Sequence, residues 1–154
     1  MAPLNLVPAC SDCNKAKSGG FPHIEEEVGL HPYYDDIDGE RWLVAEVVET
    51  APAAARYGVD APQAWSDLLS ARVGNHFVLL GLASLYASEA ADELLNIRHL
   101  LGIALATGGP EAVRQELEVR AESAAAGRRN GWRSAAYVAW AVSDWFCQGG
   151  FAVP

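Results

Sequence analysis

The stretch P-Q-A-W-S-D-L-L-S-A-R-V-G-N-H-F-V-L-L-G-L, residues 62–82, decides how the chain is read. Trp65, Leu68, Leu69, Val73, Phe77 and Leu80 recur at helical spacing, which gathers apolar side chains on one face of a helix. Asp60 is suited to the N-cap and Pro62 to the first turn, so an amphipathic helix is expected to about residue 82. The same period continues toward the C-terminus. A second helix, capped by Ser88, is expected to bury Leu94, Leu95, Ile97, Leu101 and Leu105 and to end at Gly108 and Gly109. Pro110 opens a third, with Val113, Leu117 and Ala121 inward and Arg114 with Glu118 as an i,i+4 pair outside, ending near Gly127 and Asn130. A fourth is expected from Trp132 to Cys147, with Tyr137, Trp140, Ala141 and Trp145 or Phe146 inward, stopped by Gly149 and Gly150. Four helices joined by short loops predict an antiparallel bundle over residues 51–154.

Residues 1–50 differ in character. Residues 1–40 are rich in Pro, Gly, Asp and Asn, the composition of loops around short elements. R-W-L-V-A-E-V-V-E, residues 41–49, alternates partially and is rich in β-branched side chains, so one short strand is expected there. The expected class is mainly α, in two regions, 1–50 and 51–154.

A chain of 154 residues with 51% hydrophobic and 20% charged residues has the composition of one folded domain, not of a disordered or fibrous chain. No apolar run reaches the 18 or so residues of a membrane span. No basic start precedes an apolar run, so no signal peptide is expected. Three cysteines do not form a disulfide framework, which points to a reducing cytoplasm. The net charge of −9 is concentrated: residues 21–50 carry nine carboxylates against Arg41. Basic spots survive at Lys15 and Lys17 and at Arg128, Arg129 and Arg133, so global charge does not exclude a polyanionic partner.

The chemistry-bearing segment is N-L-V-P-A-C-S-D-C-N-K-A-K-S-G, Asn5 to Gly19. Cys10 and Cys13 present two thiols that suit one soft metal, usually zinc, or a redox pair. Structural zinc takes four ligands, and the remaining cysteine is Cys147, so such a site would draw on His23, His31 or another chain.

This segment resembles the latter half of the HNH endonuclease motif, in the branch whose chains continue with an HPYF/YDD stretch. That stretch is matched by L-H-P-Y-Y-D-D-I at 30–37, and the tail is similar through N-I-R-H-L-L (96–101), R-R-N-G-W (128–132) and D-W-F-C-Q-G-G-F (144–151). The resemblance implies metal-dependent hydrolysis of DNA phosphodiesters on a ββα-metal element. It places Asn14 as the helix-borne ligand of a catalytic magnesium or manganese ion, Asn5 as the brace that orients the base histidine, and Lys17, with Lys15 beside it, against phosphate. Cys10 and Cys13 match half of the structural zinc set. The resemblance also implies a setting in bacterial or phage defence, where such proteins accompany an ATPase partner.

One departure is large. Only Met1 to Leu4 precede Asn5, so the family's first strand, its Asp-His or Glu-His pair and its upstream CxxC are absent. Loss of a general base lowers a rate by about 10²- to 10⁴-fold. A start assigned too late, a split protein completed by a partner, and a decayed gene each account for this. The alternative function is accordingly an inactive HNH-derived binding or regulatory module acting through its helical bundle. Glu25 to Glu27 are expected on a solvated face, and His31 to Asp36 in a turn with Asp35 or Asp36 capping backbone. His76 and His99 are expected to be packed or at the surface. Arg128, Arg129 and Arg133 are expected at a solvated helix end.

Overall fold

Residues 43–59 fold back on themselves as an antiparallel hairpin, and the helices are built around it. The computed structural model describes Lys15, residues 23–30 and residues 35–152. Among these, a 3-10 turn (Glu25–Glu27) precedes strands β1 (Leu43–Val48) and β2 (Ala54–Val59). Helices α1 (Asp67–Leu79), α2 (Leu82–Gly127) and α3 (Trp132–Val142) follow, then a π-helical turn (Phe146–Gly150). The protein is mainly α, with one two-stranded sheet among the described residues.

β1 and β2 pair from Leu43 opposite Val59 to Val48 opposite Ala54. The connecting turn contains a cis Ala51–Pro52 bond and is closed by Thr50, whose hydroxyl donates to the carbonyl of Pro52 at 2.9 Å. One strand was expected and two are present. A-A-R-Y-G-V does alternate, with Ala55 and Tyr57 buried and Ala54 and Arg56 exposed, but alanine and glycine carry almost no strand signal in sequence. The expected division at residue 50 lies in the turn between these two paired strands.

The pairing also moves the start of the first helix. The Asp60 amide donates to the Trp42 carbonyl at 2.8 Å, so Asp60 ends the hairpin instead of capping a helix. Ser66 is the N-cap of α1, its hydroxyl accepting from the Leu69 amide at 3.2 Å. Trp65 and Pro62 sit in the preceding turn.

Gly81, with φ of 61°, separates α1 from α2. Ser88 lies inside α2, not at its cap. Gly109 (φ 71°, ψ −166°) breaks α2 where expected, immediately before Pro110, and divides it into two arms. Ala90, Leu94, Ile97 and Leu101 face inward from the first arm and Val113, Leu117 and Ala121 from the second. Leu95, expected inside, is exposed. Short α3 buries Ser134 to Tyr137 and Ala139 to Ala141, and the serine and alanines among them let it pack closely on α2 and β1. The hairpin thus fills a place in the helical packing, with β2 against α2.

The fourth helix ends five residues earlier than expected. Ser143 is extended (φ −84°, ψ 111°) and its hydroxyl accepts from the Phe146 amide at 3.2 Å, which starts a separate turn. Arg114 reaches across to this junction, donating to the Ala141 carbonyl and to Asp144 at 2.7 Å, and pairs with Glu111 in place of the expected Glu118. Phe146 stacks on Trp140 with centroids 5.4 Å apart and planes 5° off parallel, next to Phe151. Trp140, Phe146, Leu43, Leu101 and Leu117 are the largest fully buried side chains. No single helix among the described residues is long and apolar enough to cross a membrane.

Candidate functional site

Asn5, Cys10, Cys13, Asn14 and Lys17 lie outside the described residues, as do His31 to Tyr34. Lys15 is described, as a helical and exposed residue. What the structure defines is the frame into which the motif-bearing region leads, held by two side chains, one absent from the sequence reading and one expected only as a helix end.

The first is Arg72 on α1. Its Nη1 donates to Asp35 Oδ1 at 2.9 Å and its Nη2 to Asp35 Oδ2 at 2.8 Å, a bidentate fork. Nε and Nη2 also donate to the carbonyls of Val28 (3.0 Å) and Gly29 (3.1 Å). One guanidinium therefore ties residues 28–29 to Asp35, on either side of His31 to Tyr34. Asn75, one turn on, adds a bond from its amide nitrogen to the Glu26 carbonyl at 2.8 Å. Asp35 thus anchors to a helix, whereas Asp36 caps backbone as expected of this turn, accepting from the Asp38 amide at 3.3 Å. Glu25 and Glu27 are exposed, and Glu27 accepts from the backbone of His23 at 2.8 Å.

The second is Asn130, between α2 and α3. Its Oδ1 accepts from the amides of Trp42 (3.0 Å) and Leu43 (3.4 Å), and its Nδ2 donates to the carbonyls of Ile37 (3.3 Å) and Glu40 (2.9 Å). Both ends of the carboxamide are used, so the residue locks the acidic loop to the start of β1. Arg129 adds a bond to the Gly39 carbonyl at 2.5 Å.

Two clefts flank this loop. One, of about 600 Å³, is lined by Glu89 of α2, Arg128 and Gly131 of the loop, and Trp132, Arg133 and Ser134 of α3, among others. The other, of about 630 Å³, shares Gly127, Arg128 and Asn130 and adds Arg129, Asp38 and Gly39. Arg133 lies 4.9 Å from the Trp132 ring centre and pairs with Glu93 at 3.3 Å. Glu93 also receives the Tyr137 hydroxyl, and Arg120 joins Glu116 at 2.8 Å. Burial, helped by the Glu93 bond, pushes the Tyr137 hydroxyl up to about 12. Burial raises the Tyr57 hydroxyl as well.

The donor types in the motif suit two kinds of ion: the Asn14 carboxamide a hard cation, the Cys10 and Cys13 thiols zinc. The described residues complete neither set. Among them, no group of three His, Cys, Asp or Glu is placed to hold a metal. Cys147 is sealed in the core, its thiol donating toward the carbonyls of Trp140 (3.5 Å) and Ala141 (3.6 Å), with burial raising its pKa. His99 is exposed on α2 and His76 partly buried in the last turn of α1.

No family model matches the chain, and no solved structure resembles it. Over 98 residues it is 37% identical to protein ea31 of Escherichia phage lambda, an alignment covering 62% of this chain and 33% of that protein. The aligned part thus spans about a third of the length of this curated relative.

Proposed function

We propose that the chain serves an HNH-type, metal-dependent endonuclease that hydrolyses DNA phosphodiesters. The observation that carries this is the segment N-L-V-P-A-C-S-D-C-N-K-A-K-S-G at 5–19 followed by L-H-P-Y-Y-D-D-I at 30–37. In this reading Asn14 holds a magnesium or manganese ion, Lys17 and Lys15 meet phosphate, Asn5 orients the water-activating group, and Cys10 with Cys13 contributes to a structural zinc set. When bound, the divalent ion supplies polarisation of the phosphoryl oxygen. The Arg72 and Asn130 clamps support the reading by fixing the backbone that leads out of the motif. A bacterial or phage defence role beside an ATPase belongs to the same proposal.

A second reading is favoured by one observation: none of the four histidines directly follows a carboxylate, so the Asp-His or Glu-His pair is absent from these 154 residues. The chain would then be an inactive binding or regulatory module, docking a partner through its helices. Hydrolysis of bis(4-nitrophenyl) phosphate with magnesium or manganese separates the two. Metal-dependent release of 4-nitrophenolate that falls about 10²-fold or more in Asn14→Ala supports the nuclease. No release supports the module, and release equal in the two proteins removes Asn14 as the metal ligand.

A further inference from the structure

Outside the motif, the loop between α2 and α3 gathers positive charge that the rest of this acidic chain lacks. Arg128, Arg129 and Arg133 line the two adjoining clefts against Asp38 and Glu89. Arg41, two residues before β1 and outside the cleft linings themselves, donates to Ser134 of the first cleft's wall at 3.5 Å. Four of the eleven lysines and arginines thus meet at one place, although Arg41 is almost 90 residues from the others.

Their helix positions are informative. Arg128 is the C-cap of α2, where a cation complements the dipole. Arg133 is the second residue of α3, where a cation opposes it. That first turn has no acidic residue and no side-chain cap, so the α3 dipole and Arg133 project positive potential together into the cleft. Glu93 neutralises part of it but also receives the Tyr137 hydroxyl. Arg128 is exposed, and no hydrogen bond or ion pair engages it through its side chain among the described residues. A cleft walled by arginines and an uncapped helix start fits an oxyanion, and charges spaced along two joined clefts fit a row of them.

We propose that these joined clefts bind the phosphodiester backbone of DNA, with Arg128 and Arg41 as direct phosphate contacts and Arg133 with the α3 N-terminus forming the floor. The inference rests on the nucleic-acid part of the function proposed above, and concerns binding, not hydrolysis. The test is fluorescence anisotropy of a labelled DNA duplex with the full chain, in EDTA to prevent cleavage, across a salt series. Arg128→Gln and Arg41→Gln are each expected to weaken binding about five- to tenfold and to reduce the slope of log K against log salt by about 0.9. Arg98→Gln, an exposed arginine of α2 away from the clefts, is expected to change neither. Inorganic phosphate, added to separate a free-anion pocket from a backbone-tracking surface, is expected to compete only at millimolar concentration. Equal losses in Arg98→Gln, no loss in the cleft variants, or no binding by the wild type overturns the inference. Arginine-dependent binding without metal-dependent hydrolysis removes the nuclease reading alone, and hydrolysis without arginine-dependent binding removes this one alone.

Discussion

Arg72 and Asp35 form a two-pronged ion pair, at 2.9 and 2.8 Å, that joins α1 to the acidic segment across 37 positions of sequence. Both side chains are more than four-fifths buried. Burial makes the pair sensitive to loss of one partner, because the other charge is then left poorly solvated.

Arg72→Ala is therefore expected to destabilise the protein by about 3 kcal/mol and to speed hydrogen exchange at residues 28–30. Arg72→Lys is expected to recover only part, because an ammonium cannot span both carboxylate oxygens and two carbonyls. Denaturant unfolding of the three proteins checks the order. Equal midpoints for wild type and Arg72→Ala would show that the clamp contributes nothing.

Asn130 allows its two halves to be separated. Asn130→Asp keeps an acceptor for the amides of Trp42 and Leu43 and loses the donor to Ile37 and Glu40, whereas Asn130→Ala loses both. The expected cost is about 1–3 kcal/mol for alanine, and no less for aspartate, whose second oxygen would face the Ile37 and Glu40 carbonyls without a proton to donate. Amide exchange at Trp42 should accelerate in the alanine variant and stay slow in the aspartate variant.

Two glycines make opposite predictions. A Cβ at Gly150 would lie 2.4 Å from the Trp145 ring, so Gly150→Ala is expected to cost about 1–3 kcal/mol. A Cβ at Gly102, inside α2, meets nothing within 4 Å, so Gly102→Ala is expected to stabilise by about 0.5–1 kcal/mol. Thermal melts of the two variants should move in opposite directions.

Tyr137 gives a pH dependence. Its hydroxyl is raised from 10.0 to about 12, so the folded state holds the proton more tightly than the unfolded state does. The associated stability is fully present below pH 10 and is lost as pH climbs toward 12. Tyr137→Phe is expected to be less stable than wild type at neutral pH, having lost the bond to Glu93, and to show a shallower alkaline decline. Unfolding midpoints between pH 8 and 11.5 test this, and identical slopes in the two proteins would contradict it.

The helical half of the fold was legible because it depends on local signals. The period of Leu69, Val73 and Phe77, the Gly108-Gly109-Pro110 break and the Gly127 stop all act within a few residues, and the structure shows them, although Leu68, expected on the same face, is exposed. β2 was not legible, because A-A-R-Y-G-V is a strand only when β1 and the helices cover it. Ser66 and Ser143 were passed over as caps because Asp60 and the apolar run past Val142 gave competing local signals. The candidate site divides in the same way. Asn5, Cys10, Cys13, Asn14 and Lys17 are visible as a contiguous pattern. Arg72 had no sequence signal and Asn130 only that of a helix end, since their partners lie 37 to 93 residues away and are mostly backbone groups.

The measurement that bears most directly on the proposed function is conversion of supercoiled plasmid to nicked circles by the purified chain with magnesium or manganese, beside Asn14→Ala. The account predicts metal-dependent nicking by the wild type that disappears in Asn14→Ala, after which His23 and His31 are the residues to substitute in search of the base. No nicking at any metal concentration, or equal nicking by both proteins, would contradict a nuclease site built on Asn14 within this chain.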